Sequence, residues 1–197
     1  MKLYILRHED RTLDASFFSP LTLSGHKNSV KLAKYLKNEK INKIYCSPFI
    51  RTLQTINPYI NSFKKKMSVN LEYSLAEIQH PDIIPHTYYK INLPKYIAEE
   101  FNHNERYMSL LSPEKFDYPE DYLKVKKRVK TFLKKIFNEN IETNNNIIFV
   151  THQIVCKIIL ETLEKDFAHK INNTFYPTGS LTKVFDTDKW IYQQINW

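Results

Sequence analysis

The residues able to do chemistry in this chain gather where short apolar runs break into charge. The run Lys2-Leu-Tyr-Ile-Leu ends in Arg7-His8, and Arg11 follows three residues later. A second run, Lys43-Ile-Tyr-Cys46, leads through Ser47-Pro48 to Arg51, and a third, Ile147-Ile-Phe-Val150, ends in Thr151-His152. Only five of the 29 basic residues are arginine, so three of five arginines and two of seven histidines stand just beyond strand-like segments. Guanidinium forks match phosphate oxygens bidentately, and a helix start after Ser47-Pro48 presents backbone N–H groups to the same anion. A phosphoryl group is the ligand that suits this set.

Positioning these groups requires strands that end together. Residues 2–7, 43–46, about 67–71 and 147–150 read as strands, and 181–185 with 190–195 as a terminal hairpin around Asp186-Thr-Asp-Lys189. Helices are predicted from Thr22, with Thr22 or Ser24 as cap and Val30, Leu32, Ala33, Tyr35 and Leu36 as the apolar face. Others run from Ser47-Pro48, as N-cap and first residue, to about Asn61, and from about Glu120 to Asn138. The last of these carries an apolar stripe of Tyr122, Val125, Val129, Phe132, Leu133 and Ile136, with Lys127, Lys130 and Lys134 opposite. A further helix spans Ile154 to Leu163. Residues 81–119, cut by five prolines, read as an irregular helical insertion. Alternating strands and helices predict an α/β three-layer sandwich: a mostly parallel sheet covered on both faces, with an antiparallel C-terminal edge. In open parallel sheets ligands bind beyond the carboxyl ends of the strands, where the arginines and histidines fall.

Composition excludes several classes of function. The chain has 197 residues, 42% apolar and 25% charged, which describes one domain spanning 1–197. Gly25 and Gly179 are its only glycines, so neither a dinucleotide fingerprint nor a Walker phosphate loop can be written in it. No stretch approaches the roughly 18 apolar residues of a membrane span, and no signal peptide is expected, which points to the cytoplasm. Cys46 and Cys156 lack the spacing of a disulfide framework or zinc site and read as buried thiols. Cys46 and Arg51 are one residue too close for the cysteine-dependent phosphatase loop. His8, Glu9, Asp10 and His152 lack paired ligand spacings, and arginines around them repel a cation, so no metal and no cofactor are expected. The net charge of +8 favours anionic partners without choosing among them.

Four segments, taken together, resemble the histidine phosphatase superfamily, which includes the phosphoglycerate mutases. They are Leu6-Arg7-His8, Leu21-Thr-Leu-Ser-Gly25, Ser47-Pro-Phe-Ile-Arg51-Thr-Leu-Gln-Thr55 and Val150-Thr-His152. The Arg7-His8-x-x-Arg11 form is most similar to the phosphatase domain of the suppressor-of-T-cell-receptor-signalling proteins. The resemblance implies a phosphoglycerate mutase-like fold and hydrolysis of phosphomonoesters through a phosphohistidine at His8, independent of metal. It further implies that Arg7, Arg11, Arg51 and His152 hold the phosphoryl oxygens, and that Glu77, in Leu75-Ala-Glu77, is the acid for the leaving oxygen. Asp10 and Glu72 are alternatives for that acid. The substrate expected is a phosphorylated small molecule or phosphoprotein, not a membrane and not nucleic acid, with residues 81–119 forming a lid over it.

Two positions depart from the family pattern: Glu9 and Gln153 stand where glycine usually follows each histidine. A Glu9 carboxylate aimed into the pocket would repel phosphate, whereas one turned away and paired with a lysine or arginine leaves the main chain serviceable. Mutase-type phosphoryl transfer needs the same nucleophile and is one alternative. Binding without turnover, of a phospholigand or nucleic acid, is another, suggested by Lys64-Lys-Lys66 and the basic helix. His26, His80, His86, His103 and His169 read as surface or loop residues.

Overall fold

A computed structural model of the chain describes residues 1–84, 91–140, 143–167, 176–186 and 190–195. Its strands are β1 (Lys2–Arg7), β2 (Lys43–Cys46), β3 (Val69–Leu71), β4 (Asn146–Thr151), β5 (Leu181–Asp186) and β6 (Trp190–Ile195). They form one sheet in the order β3-β2-β4-β1-β5-β6. The first four are parallel, and β5 runs antiparallel to both β1 and β6. The predicted α/β fold with an antiparallel C-terminal edge is therefore the observed one. The turn at 187–189, His86 and His169 lie outside the described residues.

Side chains alternate across the sheet because successive Cβ atoms on a strand point to opposite faces. Tyr4, Leu6, Ile44, Cys46, Ile148 and Val150 pack on one face against α1 (Leu23–Asn38) and α2 (Ile50–Ile60). Leu3, Ile5, Tyr45, Ile147 and Phe149 pack on the other against α4 (Tyr122–Asn140) and α5 (Gln153–Phe167). The helix following β1 thus covers one face and the helix following β4 covers the other. Neighbouring strands whose helices diverge in this way leave a crevice at their carboxyl ends. β1 and β4 are such a pair, with Arg7 opposite Thr151. His8 and His152 are the next residues on each strand.

Several element ends differ from the sequence reading for local reasons. Thr22 caps α1 by accepting from Gly25 N–H, as expected. Val30, placed on its buried face, is half exposed, and Gly25 and Ser29 take that face instead. Ser47 does not cap α2: Phe49 occupies that position without a side-chain bond, and Pro48 lies outside the helix. In α4 the stripe from Val125 to Ile136 is buried, while Tyr122 is exposed at the helix start.

The insertion contains α3 (Lys95–Glu100) and a single 3-10 turn at Pro113–Lys115. It is fastened to the sheet by Glu72, which follows β3. The fully buried Glu72 carboxylate accepts from Ser74 N–H, Tyr107 O–H, Ser109 O–H and Leu110 N–H. Ile91, Leu93, Ala98 and Phe101 extend the core over the α1/α2 face. Glu72, weighed as an alternative acid, is thus a structural anchor with its oxygens committed. Glu72→Ala leaves those donors without their acceptor and is expected to lower stability by about 2–4 kcal/mol, measured by urea unfolding.

Candidate active site

The loop that leaves β1 is held by main-chain bonds that extend the sheet. His8 N–H donates to Thr151 O at 2.9 Å, and Gly179 N–H donates to His8 O at 3.0 Å. Glu9 N–H donates to Thr55 Oγ1 at 3.0 Å, and that hydroxyl donates to Arg51 O at 2.7 Å, tying the loop to α2. The His8 ring lies 2.7 Å through Nδ1 from the carbonyl of Glu9. A carbonyl oxygen only accepts, so Nδ1 carries the proton and Nε2 presents its lone pair. That lone pair faces Arg51, whose Nε–H donates to it at 3.2 Å.

Arg51 is almost wholly buried, donates to Ser16 O at 2.8 Å, and stacks over the Phe49 ring at 4.4 Å. Burial, together with the nearby Arg11 and Arg7, draws its pKa down to about 10, which leaves it cationic at neutral pH. The His8 pKa is pushed well below the usual imidazole range, first by desolvation and then by Arg51, with Arg7 and Arg11 adding to the effect. Arg7 donates to Tyr176 O, and its buried Nε has no hydrogen-bond partner among the described residues. Arg11 joins a bridge to Leu21 and donates to Thr12 O at 2.5 Å.

His152 is fully buried with its ring centroid 5.2 Å from that of His8 and edge-on to Phe49. Its Nε2 is 2.8 Å from Ser47 Oγ, which explains why Ser47 does not cap α2: the hydroxyl is engaged by the imidazole. Its Nδ1 is 3.9 Å from Glu77 Oε2 and has no hydrogen-bond partner among the described residues. Desolvation, Arg51 and His8 lower the His152 pKa, so this ring is also neutral. Of the backbone N–H groups at the start of α2, a set expected to face the anion, that of Ile50 is directed at Phe17 O, 3.4 Å away.

Glu77 is buried with Oε1 accepting from Ile78 N–H at 3.0 Å. Desolvation raises its pKa, and Arg51, Arg128 and Arg7 partly oppose the rise. Its backbone is fixed by a residue the sequence reading did not single out. Arg128, buried in the otherwise lysine-rich α4, forms a two-pronged pair with Glu120 at 2.9 and 3.0 Å and donates to Ser74 O and Glu77 O. Asp10, the other alternative acid, accepts from Thr22 O–H at the start of α1. Among the described residues no group of three or more His, Cys, Asp or Glu is placed to hold a metal ion. No helix among them is long and apolar enough to cross a membrane.

Of the two arrangements considered for Glu9 neither is the observed one: it receives no contribution from the arginines, and among the described residues it forms no ion pair with a lysine or arginine. It is 1% exposed, and its carboxyl lies against Gly179, where a Cβ would sit 2.2 Å from Oε1. Gly179 has φ of +74°, a conformation that glycine takes without strain. The side chain that replaces the family's glycine after His8 is therefore accommodated by a glycine on another segment. Gly25, the other glycine, makes the same kind of room at the next residue, since a Cβ there would meet Asp10 O at 2.2 Å. Desolvation raises the Glu9 pKa to about 7, with hydrogen bonding from Asn28 and the Asp10 backbone opposing it.

The fold and site define an α/β protein whose parallel-strand crevice holds two neutral imidazoles, a buried arginine and one buried carboxyl. The chain belongs to the histidine phosphatase superfamily (branch 1), which it matches over residues 6–197. It is similar in structure to the ecdysone phosphate phosphatase of Bombyx mori, solved with tungstate, with a TM-score of 0.74 and 14% identity over 99% of this chain and 92% of that one. It is also similar to a phosphoglycerate mutase from Bacillus anthracis, with a TM-score of 0.65 and 18% identity over 100% and 92% of the two chains. A mycobacterial glucosyl-3-phosphoglycerate phosphatase, solved with inorganic phosphate, gives a TM-score of 0.64 and 15% identity over 100% and 96%. None of the curated protein sequences compared matches this chain.

Gly179→Ala combines a strained φ with a steric conflict against Glu9 and is expected to cost about 2–4 kcal/mol. Adding Glu9→Gly should recover part of that loss, and a double-mutant cycle in urea measures the coupling. The ionisation of Glu9 gives a second test. Its folded pKa is above the ordinary 4.5, so the folded state holds the proton more tightly, and stability falls as pH rises from about 4.5 through 7. Relative to Glu9→Gln, the wild type should lose roughly 2 kcal/mol between pH 4.5 and 8 in paired thermal melts. Parallel pH curves for the two proteins would remove this assignment.

Proposed function

We propose that this protein hydrolyses phosphomonoesters through a phosphohistidine at His8, without a metal ion. The observation that carries the proposal is the fixed tautomer of His8: Nδ1–H is committed to Glu9 O, and the bare Nε2 meets the Arg51 guanidinium. Arg51, Arg7 and Arg11 hold the phosphoryl oxygens and neutralise charge that gathers there as the ester bond breaks. In this reading Ser47 Oγ is the donor in its 2.8 Å contact with His152 Nε2, and Nδ1–H of that ring donates to one of those oxygens. When the phosphate binds, its oxygen displaces the Arg51 donor from His8 Nε2 and draws the guanidinium to itself.

In the first step the His8 Nε2 lone pair forms a bond to phosphorus, the P–O ester bond breaks, and the departing oxygen takes the proton of Glu77. In the second, the Glu77 carboxylate removes a proton from water, the water oxygen attacks phosphorus, and the P–N bond breaks to release inorganic phosphate and restore His8. A carboxyl whose burial raises its pKa is suited to begin this cycle protonated. Residues 81–119 act as the lid, anchored through Glu72, and select a phosphorylated small molecule or phosphoprotein. The resemblance of the Arg7-His8-x-x-Arg11 form to that of phosphatases supports water over a sugar acid as acceptor.

The test is an aryl phosphatase assay with chelator present. His8→Ala should lower turnover by at least 10³-fold and abolish acid-labile, base-stable labelling of the protein by a phosphate donor. Glu77→Gln should slow phenyl phosphate by about 10²-fold and a dinitrophenyl ester much less, because only the poorer leaving group needs the proton. In the wild type the phenyl phosphate rate should fall as pH rises through the elevated Glu77 pKa, and the variant should lack that limb. Full activity in His8→Ala, or loss of wild-type activity to the chelator, would overturn the proposal.

A further inference from the structure

A second cavity, of about 490 Å³, opens between α4 and the 110–117 part of the insertion. None of His8, Arg51, Glu77 or His152 lines it. The backbone that follows β3 separates the two places: the Glu77 carboxyl faces His152, whereas the carbonyls of Ser74 and Glu77 are turned to Arg128 on the cavity wall. The volume falls in the range of small-molecule sites, about 300–1,000 Å³.

The lining has a definite chemistry. Leu110 and Leu111 give it an apolar side. Four cations and two acids contribute to the rest, and the pairings are uneven. Arg128 is satisfied by Glu120, with its guanidinium also stacked on Phe116 at 5.3 Å, and Lys124 is paired with Asp117 at 3.0 Å. Lys115 and Lys127 have no ion pair among the described residues, so two positive charges border the opening without a counter-charge. At the inner wall is Ser74, 1% exposed, whose Oγ has no hydrogen-bond partner among the described residues. Its main-chain groups are both engaged, by Glu72 and Arg128, so the hydroxyl is the one polar group of Ser74 still available. Buried hydroxyls are nearly always satisfied, and one left open on a cavity wall marks a place for a ligand oxygen.

We infer that this cavity is a second ligand site, distinct from the His8 site, for a small molecule that joins an anionic group to an apolar body. The anion pairs with Lys115 and Lys127, the body lies along Leu110 and Leu111, and an oxygen of the ligand meets Ser74 Oγ. Arg128 forms part of this site and also holds the Glu77 carbonyl, so occupancy and the candidate acid share one guanidinium.

The probe that tests this is 8-anilinonaphthalene-1-sulfonate, which carries one sulfonate on an aromatic body, titrated by fluorescence against the whole chain. One molecule should bind per chain. The double variant Lys115→Ala/Lys127→Ala, altered only at exposed side chains, should weaken binding at least tenfold, and the double arginine variant should retain it within about threefold. Ser74→Ala should weaken it several-fold. His8→Ala should bind as the wild type does, and tungstate should not displace the probe. Binding unchanged in the double alanine variant, or lost with His8→Ala or tungstate, would overturn the inference. Neither result depends on whether the His8 site turns over.

Discussion

Everything at the crevice depends on a hydrogen bond between neighbouring residues, His8 Nδ1–H to the carbonyl of Glu9. An imidazole in water exchanges its proton between two nitrogens and gains a second near pH 6.5, so its nucleophilic lone pair has no fixed direction. Here the backbone takes one nitrogen, and burial beside Arg51 keeps the other free of a proton. The same guanidinium groups that oppose imidazolium attract a phosphate. One arrangement of positive charge therefore both keeps the His8 lone pair bare and favours an anion beside it.

That hydrogen bond is only as reliable as the path of the loop that supplies the carbonyl. The loop is held by Thr151, Thr55 and Gly179, from β4, α2 and the segment before β5. The two glycines of the chain both lie against it, where the nearest loop atoms leave no space for a Cβ. The family pattern places small residues beside the histidine. In this chain the bulk has moved to Glu9, and the smallness has moved to Gly179. What is preserved is the available volume.

The parts legible in the sequence were those written locally: strands as apolar runs, α4 as a periodic stripe, and the Arg-His, Ser-Pro and Thr-His junctions. What escaped depended on residues far apart in the chain. Glu9 and Gly179 are 170 positions apart, and no local signal pairs them, although the scarcity of glycine made each one worth locating. Ser47-Pro48 carried a sound local signal for a helix cap, yet the hydroxyl is engaged by the imidazole that follows β4, a partner 105 positions away that no local pattern announces. Arg128 was legible in principle. It stands three residues after Val125 and four before Phe132, on the apolar stripe, as the single arginine of a lysine-rich helix.

Glu9 and Glu77 show how placement separates two buried carboxyls in one site. Desolvation raises both, and by itself would make them alike. Around Glu77 are Arg51, Arg128 and Arg7, so its charged form is opposed by burial and supported by cations, and a proton can leave and return. Around Glu9 there is no guanidinium contribution, only Asn28, the Asp10 backbone and the unfavourable charge of Asp10. Burial is the largest influence on its proton, and its carboxyl is packed on Gly179. A carboxyl adjacent in sequence to His8 is thereby kept out of the electrostatics of the arginines, while one 69 residues away enters it. Proximity to the arginines decides which of the two buried carboxyls has its charged form supported.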